Sequence, residues 1–357
     1  MRKFPWIICI VSLAAPALAA VATTFFTGPP TFSLNEAGRF HPMGDETYME
    51  NWSAFGRTNE GGFIYCVFMV SNAGLGDLNP GFSVAYYAPD GRVYSHDLKF
   101  SNKMLQAAQD RFDVRMSKSR YWKEGNSFRV TVPEGPNQLD LTLTPTTSAW
   151  RNGNGHVMLG RPTDFWNWIM PMPRGKFSGK LQTAGQTFNL NGYGAIEHIW
   201  SNLAYFGFSK NWLSLDLQSE KWSINVMQIA LREKFGGQMI RSFYLAEDGQ
   251  PTRYMNAPQL KLSQWKQAKD YRHPLALDVS GVIDGAQITI QARNGRYGEA
   301  VDPLRSLNIV EQKAIRLLVT SPMLYRVVMD AKVTITKNGQ IEVTDLTAMS
   351  NQLYFEQ

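Results

Sequence analysis

At 357 residues, with 36 Lys and Arg against 30 Asp and Glu, the chain carries a formal charge of +6. That surplus is modest and spread along the sequence. It excludes a nucleic-acid-binding protein built on clustered basic residues and leaves only transient attraction to anionic membrane surfaces. Aromatic residues make up 12% and charged residues 18%, so large apolar interior surfaces are expected, in one large or two ordinary domains.

Residues 1–22 read as a secretory signal. Arg2 and Lys3 form the positive region, Trp6–Leu13 the apolar stretch, and Ala17–Leu18–Ala19 a small-residue cleavage site, with Ala20–Val21–Ala22 as a second option. Cleavage implies export, to the periplasm or outside the cell. Of the two cysteines, Cys9 lies in this leader, and Cys66 is left without an internal disulfide partner. Cys66 sits in an apolar run and is expected to be buried and inert.

Beyond the leader, period-two alternation dominates. Strands are predicted over Tyr48–Phe55, Gly62–Ser71, Phe82–Tyr87 and Val93–Leu98, the last two joined at Asp90–Gly91. Phe112–Met116, Ser127–Val132 and Leu139–Thr144 continue the series. Arg151–Gly155 reads as a loop, and Asp164–Pro173, dense in aromatics and prolines, as a connector packed across two halves. Strands then resume over Phe177–Leu181, Gln186–Leu190, Leu213–Leu217, Ser223–Leu231 and Met239–Leu245. The last are Ala276–Val279, Gln287–Ala292, Tyr325–Thr336 and Ile341–Leu346, with an Asn338–Gly339 hairpin turn before the final one. Helix is sparse, with Asp302–Ile309, Glu311–Leu318 and Lys103–Gln109 as candidates. Many short strands at regular spacing imply an all-β sandwich or barrel.

No phosphate loop, nucleophile elbow or paired-histidine signature is present. The five histidines, His41, His96, His156, His198 and His273, lack ligand spacing, so no metal and no cofactor is expected. One pair stands out. Glu197 and His198 are adjacent in an otherwise aromatic, apolar strand, Gly192–Ser201. Ionisable groups survive there only if hydrogen-bonded, solvated or reactive. Neighbours on a strand point to opposite faces, so at most one of the two faces any given cavity.

Pro173–Leu181, Gly192–Trp200 and Asn211–Trp212, with Glu46–Thr47–Tyr48 and the Phe63–Asn72 strand in the first half, resemble the survival-factor/hydroxyneurosporene-synthase group. That group of double lipocalin-like proteins includes the yeast survival factor, which carries ceramide. It also includes carotenoid 1,2-hydratases, AttH-like bacterial proteins and fungal lipocalin-like pericyclases. The resemblance spans about residues 45–347 and is sharp over about forty positions. It implies two lipocalin-like antiparallel β-barrels in tandem with few short helices. The domains would be a signal peptide over 1–22, an N-terminal barrel with its connector over 23–172, and a C-terminal barrel over 173–357.

By the same resemblance, Glu197 and His198 take the place of the acid and histidine in the hydratases' aromatic-x-Asp-His-x-Trp motif, and Trp200 matches its last tryptophan. Glutamate replaces aspartate, and Ala195 stands where the hydratases carry an aromatic. A hydratase protonates an alkene, which needs a carboxylic acid of raised pKa and aromatic faces for the carbocation. Here Tyr193 or Trp200 would have to supply that face. The structural alternative is that Glu197 and His198 pair with each other or with Arg174 and lock the barrel junction.

Two functions follow. The first is an exported carrier of a hydrophobic small molecule, a lipid, sphingolipid or isoprenoid, held in a barrel cavity. Tyr193, Trp200, Trp212, Trp166, Trp168, Tyr48 and Trp52 are its ligand-binding candidates. The alternative is an acid-catalysed hydratase, isomerase or cyclase of an isoprenoid or polyene, with Glu197 as proton donor and His198 beside it. The discriminator is whether Glu197 points into the cavity with a displaceable water nearby; the enzyme reading fails if Glu197 faces out or is bound to Arg174.

Overall fold

The computed structural model describes Gly28, Phe32 and residues 36–355, apart from 73–76, 269–270, 306–308, 310–311, 314–315 and 317–320. The leader expected over 1–22 lies outside the described residues, and so does most of the helical stretch expected over 302–318.

The first sheet contains β1 (Met49–Thr58), β2 (Phe63–Ser71), β3 (Asn79–Tyr87), β4 (Val93–Lys99), β5 (Leu105–Ala107) and β6 (Asp113–Met116). It continues with β7 (Ser119–Glu124), β8 (Ser127–Val132), β9 (Asn137–Pro145), β10 (His156–Met158), β11 (Phe165–Thr183) and β12 (Gln186–Ser201). Their spatial order is β4-β3-β2-β1-β12-β11-β9-β8-β7-β6-β5, with β10 paired to β11.

A one-turn helix, α1 (Tyr205–Phe208), leads into the second sheet. That sheet is built from β13 (Ser209–Gln218), β14 (Trp222–Leu231), β15 (Met239–Glu247), β16 (Arg253–Met255), β17 (Gln259–Ala268), β18 (Tyr271–Ile283), β19 (Ala286–Val301), β20 (Met323–Lys337) and β21 (Gln340–Tyr354). Its order is β16-β15-β14-β13-β21-β20-β19-β18-β17. Both sheets are antiparallel and curl into tandem lipocalin-like barrels, as expected.

The expected domain boundary at 172/173 is corrected. β11 and β12 hydrogen-bond to β9 and β1, so the chain up to Ser201 belongs to the first barrel. The expected connector is the start of β11. Pro171 and Pro173 remove two ladder donors there, and the register slips between Ile169 and Met172 and again between Met172 and Gly175. Ala184 and Gly185, both at positive φ, close the long β11–β12 hairpin in the geometry that two-residue loops favour. The helix expected near Lys103 is a single 3₁₀ turn, Asn102–Met104, followed by β5. β7 and β17 had no alternation strong enough to predict them.

Three cores result. Trp52, Phe68, Phe112, Tyr121 and Phe128 fill the first lumen, and Leu215, Trp222, Ile224, Tyr325 and Val327 fill the second. Between the barrels lies a third core, including Phe55, Tyr65, Trp166, Trp168, Met227, Ile229 and Met349. β14 shows why: Trp222, Ile224 and Val226 point into its own lumen, while Met227 and Ile229 point at the other barrel. A strand covered on both faces loses the polar half of its alternation, and every residue of β14 is buried. Cys66 is a free, buried thiol, and burial pushes its pKa up, as an inert cysteine requires.

The Gly192–Tyr193–Gly194 run has a steric cause. A Cβ on Gly194 would stand 2.4 Å from the Phe55 carbonyl oxygen, and its partner across the ladder is Gly56. The two glycines let β1 and β12 approach closely just beside Glu197.

Arg174 pins the barrels together. Its fully buried guanidinium donates to Asp248 Oδ1 at 2.6 Å, the Ser219 carbonyl at 2.9 Å and the Glu220 carbonyl at 2.6 Å. It also lies over the Tyr193 ring, 4.8 Å from its centroid. The junction lock is therefore Arg174 with Asp248, and neither Glu197 nor His198 takes part.

Candidate active site

Ser53 pairs with Glu197 on one side and Val67 on the other, which sets these three residues in one row of the first barrel's outer face. Opposite them, Arg326, Asn351, Ser214 and Met227 form a row across β20, β21, β13 and β14. Between the rows is a cavity of about 170 Å³, completed by Asn51, Phe55, Tyr65, Trp168, Tyr205, Trp212, Asp216 and Asn225. The carrier reading placed its site inside a barrel. The cavity that contains Glu197 lies instead between the barrels, because aromatic side chains fill the first lumen and Leu, Ile, Trp and Tyr the second.

Glu197 faces this cavity. Its carboxylate Oε2 accepts from Trp168 Nε1–H at a long 3.3 Å. Burial, helped by the charge of Asp216, raises its pKa to about 7, against weaker pulls downward from Trp168 and Ser53. Asp216 is raised to about 6, again by burial, although three donors hold its carboxylate. These are Asn225 Nδ2 at 2.6 Å, Tyr65 Oη at 3.1 Å and Asn351 Nδ2 at 3.1 Å. Two carboxyls, both raised by burial, therefore share one aromatic space. Tyr205 completes the wall, its hydroxyl donating to Asn51 Oδ1.

His198 points the other way, as strand alternation requires. Fully buried, it faces the first lumen, where its Nε2 is 2.7 Å from Glu50 Oε1 and its Nδ1 is 2.9 Å from the Ala37 carbonyl. Both ring nitrogens meet oxygen atoms, and burial lowers the His198 pKa against the opposing hydrogen bond and charge of Glu50. Glu50 also accepts from the His41 backbone N–H at 2.9 Å and from the Tyr48 hydroxyl. Burial pushes the Glu50 carboxyl up, but the hydrogen bonds and charges of His198 and His41 outweigh it and hold the pKa below its ordinary value. His198 is therefore corrected from a candidate beside the acid to part of a separate lumen network.

The remaining predicted residues divide the same way. Trp168 and Trp212 line the cavity with Glu197, and Trp166 stacks behind Trp168 with ring centroids 6.3 Å apart. Tyr48, Trp52 and Trp200 surround the lumen network instead: Trp52 stacks on His198 at 5.0 Å and Trp200 on His41 at 4.1 Å. Tyr193 is taken by Arg174. Neither Tyr193 nor Trp200 supplies the aromatic face that Ala195 lacks. Trp168, Trp212 and Tyr65 do so from positions the motif did not indicate.

Sequence reading also passed over Asp216, Tyr65, Asn225, Asn351 and Arg326. Asp216 had a usable signal, a lone charge in the alternating run Leu213–Leu217, the same anomaly that singled out Glu197. Among the described residues, His41, Glu50 and His198 form a group whose ligand atoms lie within 4.8 Å of one another. These histidines and the carboxylate hydrogen-bond to one another across that group.

Fold and cavity together define a lipocalin-like double-barrel protein with an acidic inter-barrel site. Residues 136–294 match the family model described as Diels-Alderase-like. No curated protein matches the sequence. Among solved structures, an AttH-like protein from Nitrosomonas europaea is similar at 15% identity and a TM-score of 0.60, over 88% of this chain and 94% of that one. CghA is similar at 10% identity and a TM-score of 0.62, over 95% and 99% of the two chains. Kievitone hydratase from Nectria haematococca shows 13% identity and a TM-score of 0.61, over 94% and 98%. At these identities the likeness establishes the fold.

Proposed function

We propose that this protein is an enzyme that acts on an isoprenoid or polyene by acid catalysis, with Glu197 as the proton donor. The observation that carries this reading is a carboxyl group raised to about 7 inside a cavity walled by tryptophan and tyrosine. A general acid works best with a pKa near the operating pH, and burial supplies that here. The Glu197 O–H bond breaks as its proton moves to one alkene carbon, and the alkene π pair forms the new C–H bond. The cation left on the neighbouring carbon lies against the faces of Trp168, Trp212 and Tyr65. Ionised Asp216 across the cavity stabilises it further. The cation then takes up water and releases a proton, giving hydration. Losing a different proton to a carboxylate gives isomerisation, and attack by a second double bond closes a ring and moves the cation to a new carbon, which loses a proton to a carboxylate to complete cyclisation.

The Diels-Alderase-like family match and the fold of kievitone hydratase support an enzyme over the carrier, as does a Glu197 that lines the inter-barrel cavity and is not bound to Arg174. The leader expected over residues 1–22 supports export, placing the chemistry outside the cytoplasm.

The test is incorporation of deuterium from heavy water into a panel of prenyl alcohols and polyenes, followed by mass spectrometry. The native protein is expected to label at least one, and Glu197→Gln to label it at least about a hundredfold more slowly. Equal labelling by the variant removes Glu197 from the chemistry. Tight binding with no labelling by the native protein restores the carrier.

A further inference from the structure

On the reading that the inter-barrel cavity takes an isoprenoid or polyene, its second-barrel wall carries a feature the acid chemistry does not use. Arg326 lines the cavity, and its side chain is only 9% exposed. One edge of the guanidinium is engaged: Nη1 donates to the Tyr87 hydroxyl at 2.9 Å and to Glu299 Oε2 at 3.2 Å. The plane is held over the Tyr65 ring, 5.1 Å from its centroid. Its Nε–H is buried and has no acceptor. Glu299 cannot turn to serve it. Its Oε2 also accepts from Tyr87 at 2.7 Å, and its Oε1 accepts from Ser95 at 2.6 Å and Arg305 at 3.4 Å. A buried guanidinium N–H without an acceptor is costly, and an anionic oxygen satisfies it best.

We propose that Arg326 is the substrate anchor, and that the substrate is an unsaturated isoprenoid or polyene with an anionic oxygen head, a carboxylate or enolate, that accepts from Arg326. Arg326 on β20 lies opposite Asn351 on β21, which lies opposite Ser214 on β13, the strand that carries Asp216. Two strand steps are about 10 Å. A head held at Arg326 lies in the same cavity as Glu197 and Asp216, which leaves the unsaturated chain beside both carboxyls.

The experiment compares geranate with geraniol, a prenyl acid and alcohol of equal chain length, by quenching of tryptophan fluorescence near pH 6.5, where Glu197 is largely neutral. The native protein is expected to bind geranate about tenfold or more tightly than geraniol, the range for one charge-assisted hydrogen bond out of water. Arg326→Met is expected to abolish that preference while leaving geraniol affinity within about twofold. The double variant Glu299→Gln/Arg326→Met removes both charges together and serves if the single variant does not fold. Equal affinity of the native protein for the two ligands overturns the anchor, as does a preference that survives in either variant. Failure of both ligands to bind overturns the cavity reading itself. Geraniol binding without geranate preference leaves that reading standing and removes only Arg326.

Discussion

Glu50 and Glu197 are carboxylates on adjacent strands, β1 and β12, within one barrel wall, yet their environments oppose each other. Glu50 faces the lumen, where two histidines, a backbone N–H and a tyrosine hydroxyl converge on it, and its charge is held in place. Glu197 faces the space between barrels, where one long hydrogen bond and a neighbouring aspartate leave its charge poorly supported. Burial pushes both upward. The donors around each decide the outcome, so Glu50 is built to stay ionised and Glu197 to hold a proton that can leave. The first arrangement ties Ala37 and His41 to the barrel wall, and the second buries a carboxyl at some cost in stability.

Three substitutions bear on that contrast. The largest effect is expected at Glu50. Glu50→Gln removes the charge that His198 and His41 face and replaces one of the two acceptor oxygens they share with Tyr48 by an NH2 donor, which should cost about 3 kcal/mol in urea unfolding. The pKa of Glu197, followed by infrared titration, should remain near 7. A cost under about 0.5 kcal/mol would show that the lumen network is not structural.

Next is Glu197→Gln, which should stabilise the protein at alkaline pH. The folded protein keeps this carboxyl protonated up to about pH 7, while an ordinary glutamate ionises near 4.5. Between those values the native state holds the extra proton, so stability falls as pH rises from about 4.5 to 7. Above pH 7 the full cost applies, on the order of 3 kcal/mol. A neutral amide at this position carries no such cost. The variant should therefore unfold at higher denaturant than the native protein at pH 8 and at about the same concentration at pH 4. An advantage that is equal at both pH values would mean that Glu197 is not the strained group.

The smallest effect is expected at Asp216. Asp216→Asn removes the neighbouring charge but leaves burial, the larger cause, in place. The infrared midpoint of Glu197 should fall by about half a pH unit and remain above that of an ordinary glutamate. An unchanged midpoint would mean that the two carboxyls do not sense each other, and the acid–base pairing would be lost with it.

Much of the frame was legible locally. Ser127–Val132 was read with the bounds it has, Asn338–Gly339 closes the hairpin it was expected to close, and alternation alone separated Glu197 from His198. The double-barrel kinship was legible too, from the glycine-rich run that lets β1 and β12 meet. The domain boundary was not. Pro171 and Pro173 read as breakers, whereas in the sheet they mark register slips in a strand that continues to Thr183.

The sequence by itself determined that the strands alternate and that Glu197 and His198 part company across β12. Only the tertiary structure decided what covers each face. In a single barrel the outer face is wet and a charge there means little. Here a second barrel buries that outer face, so the apolar pattern appears on both sides of β14 and the lumen cannot be told from the junction. Asp216, Arg326 and Asn351 reach the site from the second barrel, across contacts distant in sequence that leave no local period. Burial between two sheets, a property of neither strand alone, raises the pKa of Glu197 and leaves the Nε–H of Arg326 without an acceptor.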